Sequence, residues 1–483
     1  MSSGLTSPPA PDLDDLFARQ LGWRWAAAQT GAAERQILLR RLHDAVRSHR
    51  RSLLDALHSD LHKSRAEAEL TELHPVLEEI AHAVRHLPAW MTPRPVPTPR
   101  SLLGVRSSIQ AQARGVTLIL SPWNYPVNLS LSPLVASLAA GNTVILKPSE
   151  KAPRTAQALA DLIQSTFDPL LVTVVLGDAE VARALTTLPF DHIFFTGSGA
   201  VGREVMRAAA ANLTSVTLEL GGKSPALIDA SADLPVAAER IAYGKLMNAG
   251  QTCVAPDYVL VPAASRDTLV DAIKDVIARR YGEPGRVRAG PDYGRMVDAP
   301  SVERLERLTR QSVTLGARIA LGGVFDPAGR FISPTVVTDV TPDMPLMQEE
   351  LFGPVLPILT YATLDEALDF IRQRDPPLAL YAFAEDARAL ARIRAQTTSG
   401  GLVLNGTVIH LSNPNLPFGG VGPSGTGAYH GEHGFRTFSH LRAVLHEPRR
   451  SPVRLSYPPF DRPLLRAVTW LIRQTERLSG PRG

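Results

Sequence analysis

Hydrophobic positions change their period near residue 90. From 11 to 90 they recur every three to four residues. In AERQILLRRLHDAVRSHRRSLLDAL, Leu39, Leu42, Val46, Leu53 and Leu57 fall near one face, which predicts amphipathic helices. PAWMTPRPVPTPRS (88–101) carries five prolines. Proline lacks an amide hydrogen and restricts the residue before it, so the helix should give way there to an extended linker or arm. From 115 the apolar residues gather into short runs, GVTLILSP, NTVILKPSE, LVTVVLG and HIFFTGS, each closing on Gly, Pro, Ser or a charge. Helical stretches at 152–166 and 178–188 lie between them. Strands alternating with helices predict βαβ units and a mostly parallel, doubly wound α/β sheet.

SVTLELGGKSPALI (215–228) adds a run interrupted by Gly-Gly, and a second α/β series follows to about 410 with YVLVP, FISPTVVTDV, PVLPILTY and SGGLVLNG. The glycine-rich stretch NLPFGGVGPSGTGAYHG then predicts a loop laid closely against other backbone. In the tail, 458–480, Leu464, Leu465, Val468, Leu471, Ile472 and Leu478 recur at helical spacing, with Arg466, Arg473 and Arg477 on the polar side. Such a helix either packs on protein with Trp470 buried, the expected case, or makes weak contact with an anionic membrane surface.

Composition narrows the function classes. The 483 residues, 44% hydrophobic and 20% charged, suit two or three packed domains of an ordinary globular enzyme. The net charge is +4, and most of the basic residues are arginine. No basic block interleaves with aromatics, so no nucleic-acid partner is expected. One cysteine excludes an intramolecular disulfide and a Cys-rich metal site. No run reaches the roughly 18 apolar residues of a membrane span, and the polar, acidic start is not a secretory signal. The expected compartment is the cytoplasm.

The lone cysteine, Cys253, stands in NAGQTCVAP, a Gly-rich polar setting unlike that of a core cysteine. An acyl-transfer site needs a nucleophile, an oxyanion donor and a base for water. Asn124 in SPWNYP offers an amide N–H, or else is simply a turn residue. Glu219 in TLELGGKSP sits in an apolar strand where desolvation would raise its pKa, or else pairs with Lys223. Gly197, Gly199 and Gly202 form G-x-G-x-x-G between a strand and a helix, the context in which helix amides hold a pyrophosphate. Spacing alone would give the ribose to Glu219; Glu150, also at a strand end, competes for that role.

Taken together and in order, PWNYP, LKPSE, FFTGS, LELGGKSP, GQTCVAPDYVL, QEELFGPVLPI and NLPFGGVGPSGTGAYHGEHGFRTFSH resemble the aldehyde dehydrogenase superfamily. The resemblance covers about 30–447 and is strongest to class 3 enzymes, including bacterial coniferyl aldehyde dehydrogenases. It implies two doubly wound α/β domains plus a small β oligomerisation arm. The cofactor domain would take 1–96 and 115–222, the catalytic domain 223–412, the arm and tunnel segment 97–114 and 413–447, and the amphipathic tail 448–483. Implied roles are Cys253 as nucleophile, Asn124 with the Cys253 N–H as oxyanion hole, and Glu219 as base for the deacylating water. Lys147 and Glu150 would hold the adenosine ribose, and Ser198, with Gly197 and Gly202, the pyrophosphate. Glu350 would hold the nicotinamide ribose beside Phe352, with Leu220 and Gly221 near the ring. Tyr125, Thr252 and Phe418 would wall the aldehyde tunnel. The resemblance further implies NAD or NADP as cofactor, a medium-chain or aromatic aldehyde as substrate, and a homodimer bridged by the arm. The rival readings are a cofactor-independent cysteine hydrolase and a non-catalytic protein of this fold.

Overall fold

The computed structural model describes residues 12–99, 102–282 and 286–478. The opening residues, positions 100–101 of the arm and the end of the tail, including the Arg477 and Leu478 side chains, lie outside the described residues. Helices occupy Leu13–Ala28, Ala32–Ser48, Arg50–Leu61 and His74–Met91, with a π-helical turn at Glu69–Leu73. All five leucine and valine positions read as one apolar face are fully buried.

Two short arm strands come next, β1 (Arg94–Val96) and β2 (Arg106–Ala113). The first large sheet then forms from β3 (Val116–Leu120), β4 (Thr143–Lys147), β5 (Val172–Val174), β6 (His192–Thr196) and β7 (Ser215–Glu219). The second is built from β8 (Pro225–Ile228), β9 (Tyr258–Pro262), β10 (Arg318–Leu321), the hairpin β11 (Phe325–Asp326) and β12 (Phe331–Ile332) beside it, β13 (Thr335–Thr338), β14 (Val355–Tyr361), β15 (Ala379–Phe383) and β16 (Gly401–Leu404). Finally β17 (Gly425–Thr426) returns to the first sheet and β18 (Ser439–His446) to the arm.

The strand orders are β17-β7-β6-β3-β4-β5 and β10-β13-β14-β9-β8-β15-β16. Both sheets are parallel except at one edge, where β17 and β10 run antiparallel to their neighbours. Successive side chains of a strand point to opposite faces, and here both faces are buried. On β3, Ile119 joins the core beneath the helix Asn128–Ala140, whereas Leu118 and Leu120 join the core that holds Leu16, Phe17 and Val205. Burial on both sides explains why these strands read as unbroken apolar runs.

Two expectations need correction. The helix does not stop at Pro88 but runs to Met91. A proline frees the carbonyl four residues earlier, and here the Gln36 side chain donates to that Val84 oxygen at 2.7 Å. The tail is a helix over Pro463–Leu478, yet against its own chain Trp470 is 61% exposed rather than buried, while Leu465 is buried among the described residues of the helix. The arm strand β2 pairs along its whole length with β18 of its own chain. Among the described residues, no helix is long and apolar enough to cross a membrane.

Candidate active site

Strand order directs attention to β3, which has its sequence successor β4 on one side and β6 on the other. At such a switch point the flanking loops diverge and leave a crevice at the carboxyl ends of the strands. A cleft of about 600 Å³ lies there. Lys147 at the end of β4 lines it, with Trp123, Glu150, Gly197 and Ser198 from the loops that follow β3, β4 and β6. Ser198 caps the helix Gly199–Ala210, whose positive end therefore faces the cleft. Lys147 meets Glu150 at 2.8 Å. Burial, the largest influence, works against the Glu150 charge, but the hydrogen bond from Lys147, a backbone hydrogen bond and the charges of Lys147 and Lys151 together outweigh it and hold the carboxyl below its usual range. An ammonium, a carboxylate, a hydroxyl and a helix N-terminus beside apolar Leu120, Val201 and Val205 form a donor set that fits a dinucleotide. Gly202 sits behind the cleft: a Cβ there would come within 2.8 Å of Leu220, so this glycine serves helix–strand packing.

Cys253 follows a loop whose backbone is unusual. Asn248 and Ala249 both adopt left-handed conformations, at φ 52°, and Gly250 follows at φ 77°. Non-glycine residues adopt this region at a cost, so the surroundings must hold it. Gln251 ties the loop down, donating to Asn248 O at 3.0 Å and Arg295 O at 2.9 Å and accepting from Val297 N at 2.8 Å. Gly250 also has to pass the Gly353 backbone, which lies 2.4 Å from where a Cβ would sit. The result holds Cys253 half-buried at the margin of the main hydrophobic core.

Asn124 is buried, and its side-chain amide donates to Gln251 O at 3.0 Å, two residues from the thiol. An amide nitrogen carries two hydrogens, so a second N–H is left for an oxyanion. Tyr125 Oη and Thr252 Oγ1 meet at 2.6 Å, which clips the two loops together.

Glu219 ends β7, buried, with neither carboxylate oxygen hydrogen-bonded. The Lys223 pairing is not formed: Lys223 goes to Asp257 at 2.6 Å. Desolvation with no compensating donor raises the Glu219 pKa well above the carboxylate range. Burial pushes Cys253 up to about 12, and the negative Glu350 and Glu219 add to it. Glu350 rises to about 8, first from burial and then from Asp257. It packs on the Gly221 backbone, where a Cβ would lie 2.2 Å from its carboxylate. Phe352, at φ 50°, turns its ring edge-on to Trp123 at 5.4 Å. Phe418 lies against His410, Tyr429 and His430.

Sequence reasoning missed Lys63 and Glu72, which reach the Asn124 loop from the N-terminal region, and Glu67, which reaches Asn248 on the Cys253 loop, and gave no role to Asn248 or Gln251. Lysine and glutamate in a helical region read as a solvated face, so the residue types carried no signal of burial.

Known proteins share this sequence and fold. The aldehyde dehydrogenase family model matches residues 18–444. The chain is 44% identical over 407 residues to the Rattus norvegicus protein named aldehyde dehydrogenase, dimeric NADP-preferring, covering 84% of this chain and 88% of that one. It is 41% identical to the probable coniferyl aldehyde dehydrogenase of Pseudomonas aeruginosa, covering 94% and 95%. A solved structure described as the substrate-bound state of Staphylococcus aureus AldH superposes with a TM-score of 0.91 at 41% identity, covering 95% of this chain and 99% of that one.

Proposed function

The chain belongs to the aldehyde dehydrogenase family, and on that premise we propose that it works through a thioester on Cys253, with Asn124 as oxyanion donor and Glu219 as base. The enzyme oxidises an aldehyde to the carboxylic acid with NAD or NADP. The observation that carries the residue assignment is the buried Glu219 carboxylate with no partner, set beside a half-buried thiol on a tied-down loop.

The pKa directions order the steps. Cys253 rests as a thiol, and its proton passes to solvent water as sulfur attacks the aldehyde carbon, which leaves the free acceptor oxygens of Glu219 for the later hydrolytic step. The carbonyl oxygen becomes an oxyanion of a thiohemiacetal, held by the second Asn124 N–H and the Cys253 backbone N–H. The nicotinamide, when bound, supplies the hydride acceptor that takes the aldehyde hydrogen and leaves the thioester. Glu219 then accepts a proton from water as its oxygen attacks the acyl carbon, and Cys253 departs with the C–S electron pair. Lys147 and Glu150 would hold the adenosine ribose, Gly197 and Ser198 the pyrophosphate, and Glu350 the nicotinamide ribose beside Leu220, Gly221 and Phe352.

Tyr125, Thr252 and Phe418 stand as tunnel walls, and an apolar medium-chain or aromatic aldehyde, including the coniferyl type, is the substrate class they suit. The division into a cofactor domain, a catalytic domain from 223, an arm and a tail follows the two sheets. A cytoplasmic homodimer joined through the arm is part of the same reading: β18 exposes Leu441 and Leu445 at an open sheet edge, and the rat relative is named dimeric. The exposed Leu464, Val468 and Trp470 of the tail, beside Arg466, suit weak contact with anionic membrane surface. A panel of aliphatic and aromatic aldehydes, read by absorbance of the reduced cofactor, tests the substrate class; preference for small hydrophilic aldehydes would reject it.

A further inference from the structure

Lys63 is fully buried, a rare place for a lysine. Its ammonium meets Glu72 at 2.5 Å, donates to the main-chain oxygen of Asn124 at 2.8 Å, and lies 3.9 Å from the centre of the Tyr125 ring. Glu72, also fully buried, projects from the π-helical turn Glu69–Leu73. Such wide turns redirect a side chain and are frequent at functional sites. The other Glu72 oxygen accepts the N–H groups of Val127 at 3.1 Å and Asn128 at 3.0 Å. The pair thus fastens the segment 124–128 at both ends.

The same carbonyl of Asn124 also receives the Asn248 side-chain amide at 2.8 Å. Asn248 is left-handed, and its own N–H goes to the Glu67 carboxylate at 2.5 Å. One oxygen therefore joins the oxyanion loop, the nucleophile loop and the buried ammonium. Stability does not account for this pair, because the desolvation of two charges offsets most of their attraction and an apolar pair of equal volume serves as well. What the charges add is direction: three donors and acceptors that fit one placement of the Asn124 backbone.

We propose that Lys63 and Glu72 are positioning residues for aldehyde oxidation, holding the Asn124 carbonyl so that the Asn124 side-chain amide and the Cys253 N–H converge on the oxyanion. This rests on Asn124 being the oxyanion donor, and the test separates the two. Lys63→Met/Glu72→Gln removes both charges, while the amide oxygen introduced in place of the Glu72 carboxylate still accepts from Val127 and Asn128. With hexanal and NAD, the burst rate of reduced cofactor should fall by about tenfold or more, since an ångström of misplacement costs up to about 10²-fold. The melting temperature, and the cofactor affinity read by quenching of tryptophan fluorescence, should stay near wild type. Placed in an Asn124→Ala background, the double substitution should change the burst by less than about twofold, because coupled groups are not additive. A folded variant with a wild-type burst overturns the proposal, as does an equal loss in both backgrounds. If Asn124→Ala alone leaves the burst intact, the oxyanion reading itself fails and the proposal with it. Should the double variant not fold, Lys63→Arg keeps the charge but moves the donor, and the same burst comparison decides.

Discussion

The cofactor cleft and the pocket around Cys253 treat their carboxylates in opposite ways. Glu150 is half-exposed and paired with Lys147, and its pKa is lowered. Glu219 is buried with no donor in reach, and its pKa is raised well above the ordinary range. A paired acid recognises a ligand and holds its charge. An unpaired one in an apolar setting is poised to take a proton and release it. The scaffold around the two also differs, because the cleft is formed by loops that simply leave strand ends, whereas the Cys253 loop is bent through three left-handed residues and tied by buried hydrogen bonds. Binding tolerates an open arrangement; the chemical step demands a fixed one.

If the division is right, substitutions in the pocket should cost far more than substitutions in the cleft. Cys253→Ser should lower aldehyde oxidation by about 10⁴-fold or more, with cofactor affinity retained in a fluorescence titration. Glu219→Gln should lower steady-state turnover by about 10²–10⁴-fold while a burst of reduced cofactor survives. Its pH profile should change too. The base form accumulates only as pH rises through the raised pKa, so turnover of the native enzyme climbs with pH, and the variant loses that limb.

Asn124→Ala should slow the burst itself, by on the order of 10²-fold, with deacylation less affected. At the small end, Glu150→Gln removes a charge near the ribose and should move the NADP-to-NAD ratio of kcat/KM towards NADP by at most about tenfold, or ~1.4 kcal/mol. A loss of turnover as large as that of Glu219→Gln would erase the distinction between the two regions.

Much of this contrast was legible in the sequence. The strand–helix alternation predicted a mostly parallel, doubly wound sheet and a second α/β series after it, because strands buried on both faces leave unbroken apolar runs, as β3, β4 and β6 do. Cys253, Asn124 and Glu219 stood out as polar residues at strand ends and loops. Three things stayed hidden for physical reasons. The helix persists past Pro88 because Gln36, distant in sequence, supplies the donor that Val84 would otherwise lack. The left-handed Asn248 and Ala249 lack the glycine that would announce such a backbone, and tertiary hydrogen bonds hold them instead. Lys63 and Glu72, nine residues apart, meet in the interior with Glu72 on a π-helical turn that no sequence pattern announces.

The central claim is a covalent acyl group on Cys253 that Glu219 clears. Glu219→Gln enzyme mixed with hexanal and NAD, quenched in acid after the burst and digested, should yield the peptide containing Cys253 with the added mass of a hexanoyl group. The native enzyme under steady turnover should show far less of it. An unmodified Cys253 in the stalled variant, with reduced cofactor already formed, would contradict the account.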